Sequence, residues 1–149
     1  RDFGGQAFNS MRLEKMYRAY GAEFTEEISA LEAGMDRFLD LSRNFIGSDN
    51  IKERQSKGVE TQLAYLIFDD EIPAECFGNE AVFDGEKLSG IITSGAYGYR
   101  VGHSVAFAYL NPSHCFEGKT LRVETSLGSR KCHVSMNAAY DNDNEKLRS

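Results

Sequence analysis

The chain has 149 residues, ordinary globular composition at 41% hydrophobic and 27% charged, and a formal net charge of −6. That length admits one domain or two small units with a real core, and the acidic balance argues against nucleic acid and anionic membranes as main partners, leaving room only for a local basic patch. No apolar run approaches the ~18 residues of a membrane span, the polar opening holds no secretory apolar segment, and three widely spaced cysteines (Cys76, Cys115 and Cys132) read as reduced thiols of a reducing compartment.

Residues 7–20 carry helical periodicity. Leu13, Met16, Tyr17 and Tyr20 fall at i, i+3, i+4 and i+7, and Phe8 and Met11 extend the apolar surface. Gly5, Asn9 or Ser10 can start this helix, and Gly21 fits a left-handed stop. Glu14 and Arg18 form an i,i+4 pair worth ~0.2–0.5 kcal/mol. The simplest place for Glu23, Glu26, Glu27 and Glu32 is a solvated face. Residues 22–46 mix helix formers with a central glycine and support no firm assignment. Residues 48–58 predict a second helix, with Ser48 as cap, Asp49 in the first turn and Gly58 as stop.

The period changes after Glu60. TQLAYLIFDD, 61–70, reads as a strand buried on both faces. Asp84-Gly85 between two β-like runs predicts a hairpin, SVAFAYL, 104–110, another strand, and TLRVETSL with RKCHVSM a second hairpin turning at Gly128-Ser129. Leu121, Val123, Thr125 and Leu127 alternate on its first strand, and Cys132, Val134 and Met136 on its second. Short strands with no helix between them predict a closed antiparallel barrel or a sandwich. The tail YDNDNEKLRS is polar and expected to be loose. The fold class is therefore α+β, with a helical, irregular unit over 1–58 and a small antiparallel β-barrel in 59–149, its strands ending near residue 140.

Chemistry is sparse. His103, His114 and His133 show no metal-ligand spacing, adjacent His114-Cys115 suit a loop better than a nucleophile and its base, and His133 reads as a surface residue. TSGAYGYRVGHS, 93–104, is glycine-rich but lies between strands. It is first a bend or bulge at a barrel corner, and second a loop closing over a ligand. Methionine and tyrosine at helical spacing read first as core; because a tyrosine has an apolar body and a polar tip, the second reading turns one of Tyr17 and Tyr20 to a ligand, and the pattern does not choose between them.

FNSMRLEKMYRAYGAEFTEE, followed by ALEAG and NFIG, resembles the C-terminal half of the aminomethyltransferase family, the glycine cleavage T-proteins and the folate-binding halves of dimethylglycine and sarcosine dehydrogenases. LSGIITSGAYGYRVGHSVAFAYL and FEGKTLRVE are similar to that family's C-terminal barrel. AFNSMRLEK with YRAYG is nearer the dehydrogenase type. Phe8 stands where the glycine cleavage proteins carry an arginine that contacts folate, and Asn9 where an aspartate is usual, which puts a glycine-cleavage substrate in doubt.

The resemblance implies one-carbon transfer from a methylated amine or aminomethyl donor to N5 of tetrahydrofolate. Tyr17 matches a tyrosine lining the folate cavity; Phe8 and Tyr99 are further candidates, with Ser94 to Tyr99 closing the cavity. The family's assisting aspartate lies upstream of the residues matched here, so the resemblance implies a fragment with no catalytic residue of its own, inactive alone. FAD is expected only if a dehydrogenase domain precedes. The alternative is a non-catalytic packing barrel with a degenerate folate site. A fragment would expose the Leu13, Met16, Tyr17 and Tyr20 face or bury it in a homodimer. The compartment implied is the cytoplasm, or the mitochondrial matrix in a eukaryote.

Overall fold

A computed structural model describes residues 2–74 and 76–149. Helix α1 (Gly5–Glu14) is followed by an irregular connector with a 3-10 turn at Asp36–Phe38, then by helix α2 (Ser48–Lys57). Six strands follow: β1 (Gln62–Phe68), β2 (Ala81–Asp84), β3 (Lys87–Gly98), β4 (His103–Leu110), β5 (Thr120–Thr125) and β6 (Gly128–Ser135), with a short α3 (Glu145–Arg148) in the tail. They close as an antiparallel barrel in the order β1-β4-β3-β2-β5-β6, as the strand pattern predicts.

The continuous apolar runs of β1 and β4 have a double cause. Ala64, Leu66 and Phe68 of β1 and Ala106, Ala108 and Leu110 of β4 point into the barrel, where they meet Val82, Ile92, Leu121, Val123, Cys132 and Val134. The alternate residues Leu63, Tyr65, Val105 and Phe107 form a second cluster with Leu13 of α1, edged by Met16. Both faces of these two strands are therefore dry. Leu13 is fully buried, which contributes ~1.5–3 kcal/mol to holding the helix on the barrel. The Tyr65 hydroxyl donates to the Leu13 carbonyl at 2.9 Å.

This packing corrects the expectation of an exposed stripe. Leu13 and half-buried Met16 lie against the chain's own barrel, while Tyr17 and Tyr20 remain exposed. The helix also ends sooner than its periodicity predicts. Met16 takes φ +58, the Met16 amide donates to the Leu13 carbonyl at 2.9 Å, and the Tyr17 amide donates to the Arg12 carbonyl at 2.8 Å. That pair of bonds is a Schellman termination with methionine in the left-handed position. Gly21 turns the chain later, at φ +86.

Other local expectations change for identifiable reasons. Gly4 and Gly47 stand at the N-caps, so Asn9 and Ser10 lie within α1, and Ser48 makes no capping bond. Glu14 does not pair with Arg18: its carboxylate accepts the Arg100 and Val101 amides. The first hairpin turns on Gly85-Glu86, with Asp84 opposite Lys87. The second turns on Ser126-Leu127, with Thr125 opposite Gly128, so Leu127 is exposed, as is Met136 just past the end of β6. The tail is tied down. The Lys15 ammonium donates to the Asp141 carbonyl and carboxylate and to the Asn144 side chain, at 2.6, 2.9 and 2.7 Å. Ser94 to Gly98 is strand interior, so of the expected closing loop only Tyr99 lies in a turn.

Candidate functional site

The end of α1 is fixed by a buried charge. Glu23 is fully buried and lies 2.9 Å from the Arg12 guanidinium, itself 7% exposed. The same carboxylate accepts the Ala19 amide at 2.8 Å, the Thr93 hydroxyl at 3.0 Å and the Ser94 hydroxyl. Successive residues of a regular strand point to opposite faces. Here a register shift between Ile92 and Ser94 bulges β3 and lets Thr93 and Ser94 reach the same oxygen. The Tyr109 hydroxyl adds a 2.7 Å bond to the Glu23 carbonyl. Glu23 is thus not on a solvated face, whereas Glu26 and Glu27 are exposed and Glu32 is half-buried against Ser29 and Arg54.

Arg12 also donates to the Tyr17 carbonyl at 2.9 Å. Tyr17 is therefore held at three points: its amide in the helix termination, its carbonyl on Arg12, and its hydroxyl 3.3 Å from the Asn144 side chain. Its ring, half in solvent, stands on an open cavity of about 630 Å³. Gln62 to Tyr65 of β1, with Val134 and Ser135 of β6, line its barrel side; Gly34 to Phe38, Phe24 and Arg18 line the connector side; Met136, Ala138, Asn142 and Asn144 bring in the tail. The volume and the mixture of apolar lining with a few convergent polar groups suit an organic ligand.

The other expected site residues lie elsewhere. Phe8 is 56% exposed and does not line this cavity. Tyr99 lines a separate cleft with Gln6, Met11 and Arg100. Tyr20 is 80% exposed and off the cavity, so of the two candidate tyrosines the structure puts Tyr17 on it. The reading from periodicity missed Glu23, Arg37 and the tail. For Glu23 the only signal is its apolar neighbours Ala22 and Phe24.

No cluster of three or more metal-ligating side chains occurs among the described residues. Burial pushes the Cys115 and Cys132 thiols up to about 11 and about 12, and raises Cys76 further with help from Glu80. Thiols so shifted stay protonated at neutral pH and are poor nucleophiles. The site can hold, orient and present charge, and the three thiols among the described residues are not activated as nucleophiles. No helix among the described residues is long and apolar enough to cross a membrane.

Comparisons with known proteins agree with this architecture. Residues 62–141, more than half the chain, match the family described as the glycine cleavage T-protein C-terminal barrel domain. Mouse mitochondrial dimethylglycine dehydrogenase is 36% identical over 83% of this chain, and the aminomethyltransferase of Corynebacterium aurimucosum is 34% identical over 72%. The chain spans 14% of the first relative's length and 29% of the second's. The crystal structure of glycine cleavage system aminomethyltransferase T from Bartonella henselae superposes with a TM-score of 0.81 at 21% identity, over 91% of this chain and 38% of that one, which shows the shared fold. The chain belongs to the glycine cleavage T-protein C-terminal barrel family.

Proposed function

We propose that this chain works as the C-terminal part of a tetrahydrofolate-dependent aminomethyl-transfer unit, passing a one-carbon group from an amine donor to N5 of tetrahydrofolate. The observation that carries this reading is Tyr17, held at three points on an open cavity of about 630 Å³. In this reading residues 1–58 finish the folate-binding unit and residues 59–149 form the barrel beside it.

The chain's contribution is binding and orientation. Tyr17 supplies an aromatic wall, and the Arg12–Glu23 pair keeps that wall in place while the donor and acceptor are held in line for transfer. Phe8 and Tyr99 are further candidates for folate contact, on the outer side of α1. The short share of its relatives that the chain spans supports placing the assisting carboxylate, and any flavin, in other parts of a longer protein. The methylated-amine donor follows the dimethylglycine dehydrogenase relatives, as does a mitochondrial matrix compartment; a cytoplasmic one suits a bacterial aminomethyltransferase. A homodimer would have to form on Tyr17 and Tyr20, since Leu13 is occupied by the barrel.

One observation favours a second reading, a packing module with a degenerate site: the barrel interior is filled by side chains, so the barrel itself offers no ligand chamber. Calorimetric titration with tetrahydrofolate separates the two. Saturable binding that weakens in Tyr17→Ala, with Tyr20→Ala unchanged, supports the folate reading; no heat from the folded protein supports the packing module.

A further inference from the structure

Two cations in the cavity are left without a carboxylate partner. Arg18 and Arg37 both line it, and each lacks an ion pair among the described residues, while the third cation, Lys15, is already neutralised by Asp141. Arg18 is half-buried. Its Nε donates to the Ala33 carbonyl at 2.8 Å and one terminal nitrogen reaches the Gly34 carbonyl at 3.5 Å, leaving the rest of its fork of donors free. Its guanidinium lies 5.8 Å from the Phe107 ring centre and that of Arg37 lies 4.6 Å from the Phe38 ring centre, so aromatic faces hold both in place.

The two like charges act on each other. Burial first, and the charge of Arg37 second, push the Arg18 guanidinium below its usual value, although Tyr109, Glu23 and Asp36 oppose the shift. Of these carboxylates, Glu23 is already saturated by Arg12 and three further donors, and Asp36 makes no ion pair among the described residues. Two guanidiniums lining one open cavity, each bearing on the other's charge, are a repulsive arrangement that an anion relieves, and planar forks suit a carboxylate in particular.

We propose that Arg18 and Arg37 form a carboxylate-binding pair that fixes one end of the ligand in this cavity. The choice of ligand rests on the folate reading above, but the anion site itself does not. The carboxylate has two sources in that reading, the glutamyl end of the folate or the carboxylate of an N-methylated amino acid donor.

The test titrates the wild-type chain and Arg37→Gln with four probes: tetrahydrofolate, tetrahydropteroate, which lacks the glutamyl group, p-aminobenzoylglutamate and N,N-dimethylglycine. Arg37 is exposed, so the variant is expected to fold, and a thermal melt checks this. For a glutamyl carboxylate, tetrahydrofolate binds at least about tenfold tighter than tetrahydropteroate, and Arg37→Gln abolishes the difference without weakening tetrahydropteroate, in line with charge-assisted hydrogen bonds. For a donor carboxylate, N,N-dimethylglycine instead shows the Arg37-dependent binding. Arg37-dependent binding of p-aminobenzoylglutamate or N,N-dimethylglycine with no binding of tetrahydrofolate keeps the anion site and overturns the folate reading. Tetrahydrofolate binding with no Arg37 dependence for any probe overturns the anion site and keeps the folate reading. No binding of any probe overturns both.

Discussion

Arg12 and Glu23 meet at 2.9 Å in a place where both side chains are shut off from water. The pair joins three parts of the chain: α1, the turn that follows it, and the bulge of β3. A buried ion pair gains little when desolvation is counted, but removing one member leaves an uncompensated charge. Glu23→Ala is therefore expected to cost ~3–5 kcal/mol, read as a fall in the urea midpoint. Combining Arg12→Met with Glu23→Leu should recover less than half of that loss, because the Ala19 amide and the Thr93 and Ser94 hydroxyls still lose their acceptor. Full recovery in the double variant would mean that the carboxylate serves only Arg12.

The tail latch predicts acid sensitivity. The Lys15 hydrogen bond holds the Asp141 carboxyl below the usual aspartate range, and Lys119 does the same for Asp84. A carboxyl whose folded value is lowered stabilises the fold fully above the unfolded value, ~3.9, and loses that stabilisation as pH falls below it through the folded value. Melting temperature should drop on acidification through this window, and the drop should shrink in Asp141→Asn, which is destabilised at neutral pH and no longer titrates. An unchanged acid slope in Asp141→Asn would remove Asp141 from this account.

Gly95 of β3 lies under the segment that carries Cys76. A Cβ placed on it would stand 2.4 Å from the Cys76 carbonyl oxygen, a backbone atom that cannot swing aside. Gly95→Ala should cost ~1–3 kcal/mol by overpacking and loosen the neighbouring bulge. A chemical denaturation curve within ~0.5 kcal/mol of wild type would show that the backbone at Cys76 gives way freely.

Much of the fold was legible because it rests on local pattern. The apolar runs of β1 and β4 and the turn residues point to a closed barrel or a sandwich before any contact is known. Most of the errors share a cause, since they occur where a partner distant in sequence overrides local preference; the early end of α1, made by residues 12 to 17 among themselves, is the exception. The stripe through Leu13, Met16, Tyr17 and Tyr20 implies a longer helix, but the Arg12 carbonyl and side chain draw Tyr17 into a termination. Glu14 and Arg18 suit each other on paper, but Glu14 meets the Arg100 and Val101 amides and Arg18 meets the carbonyls of Ala33 and Gly34. Glu23 looks solvated because its four partners come from residues 12, 19, 93 and 94. The polar tail looks loose because Lys15, which anchors it, is 126 residues away in sequence. For the candidate site, the pattern narrows the choice to Tyr17 or Tyr20 and the family resemblance points to Tyr17, whereas Arg37 gives no signal, since a lone arginine after an aspartate reads as surface.

In the proposed function the cavity beside Tyr17 receives a reduced folate. The most direct measurement is a titration of the isotopically labelled protein with tetrahydrofolate, followed by backbone amide and aromatic NMR shifts. The account predicts saturable shifts grouped on Tyr17, Arg37, Phe38, Ala64 and Ser135, with Tyr20 and the Gly85-Glu86 turn unmoved. Shifts confined to Phe8 and Tyr99 with none on the residues lining the cavity, or no shifts from a folded protein, would contradict it.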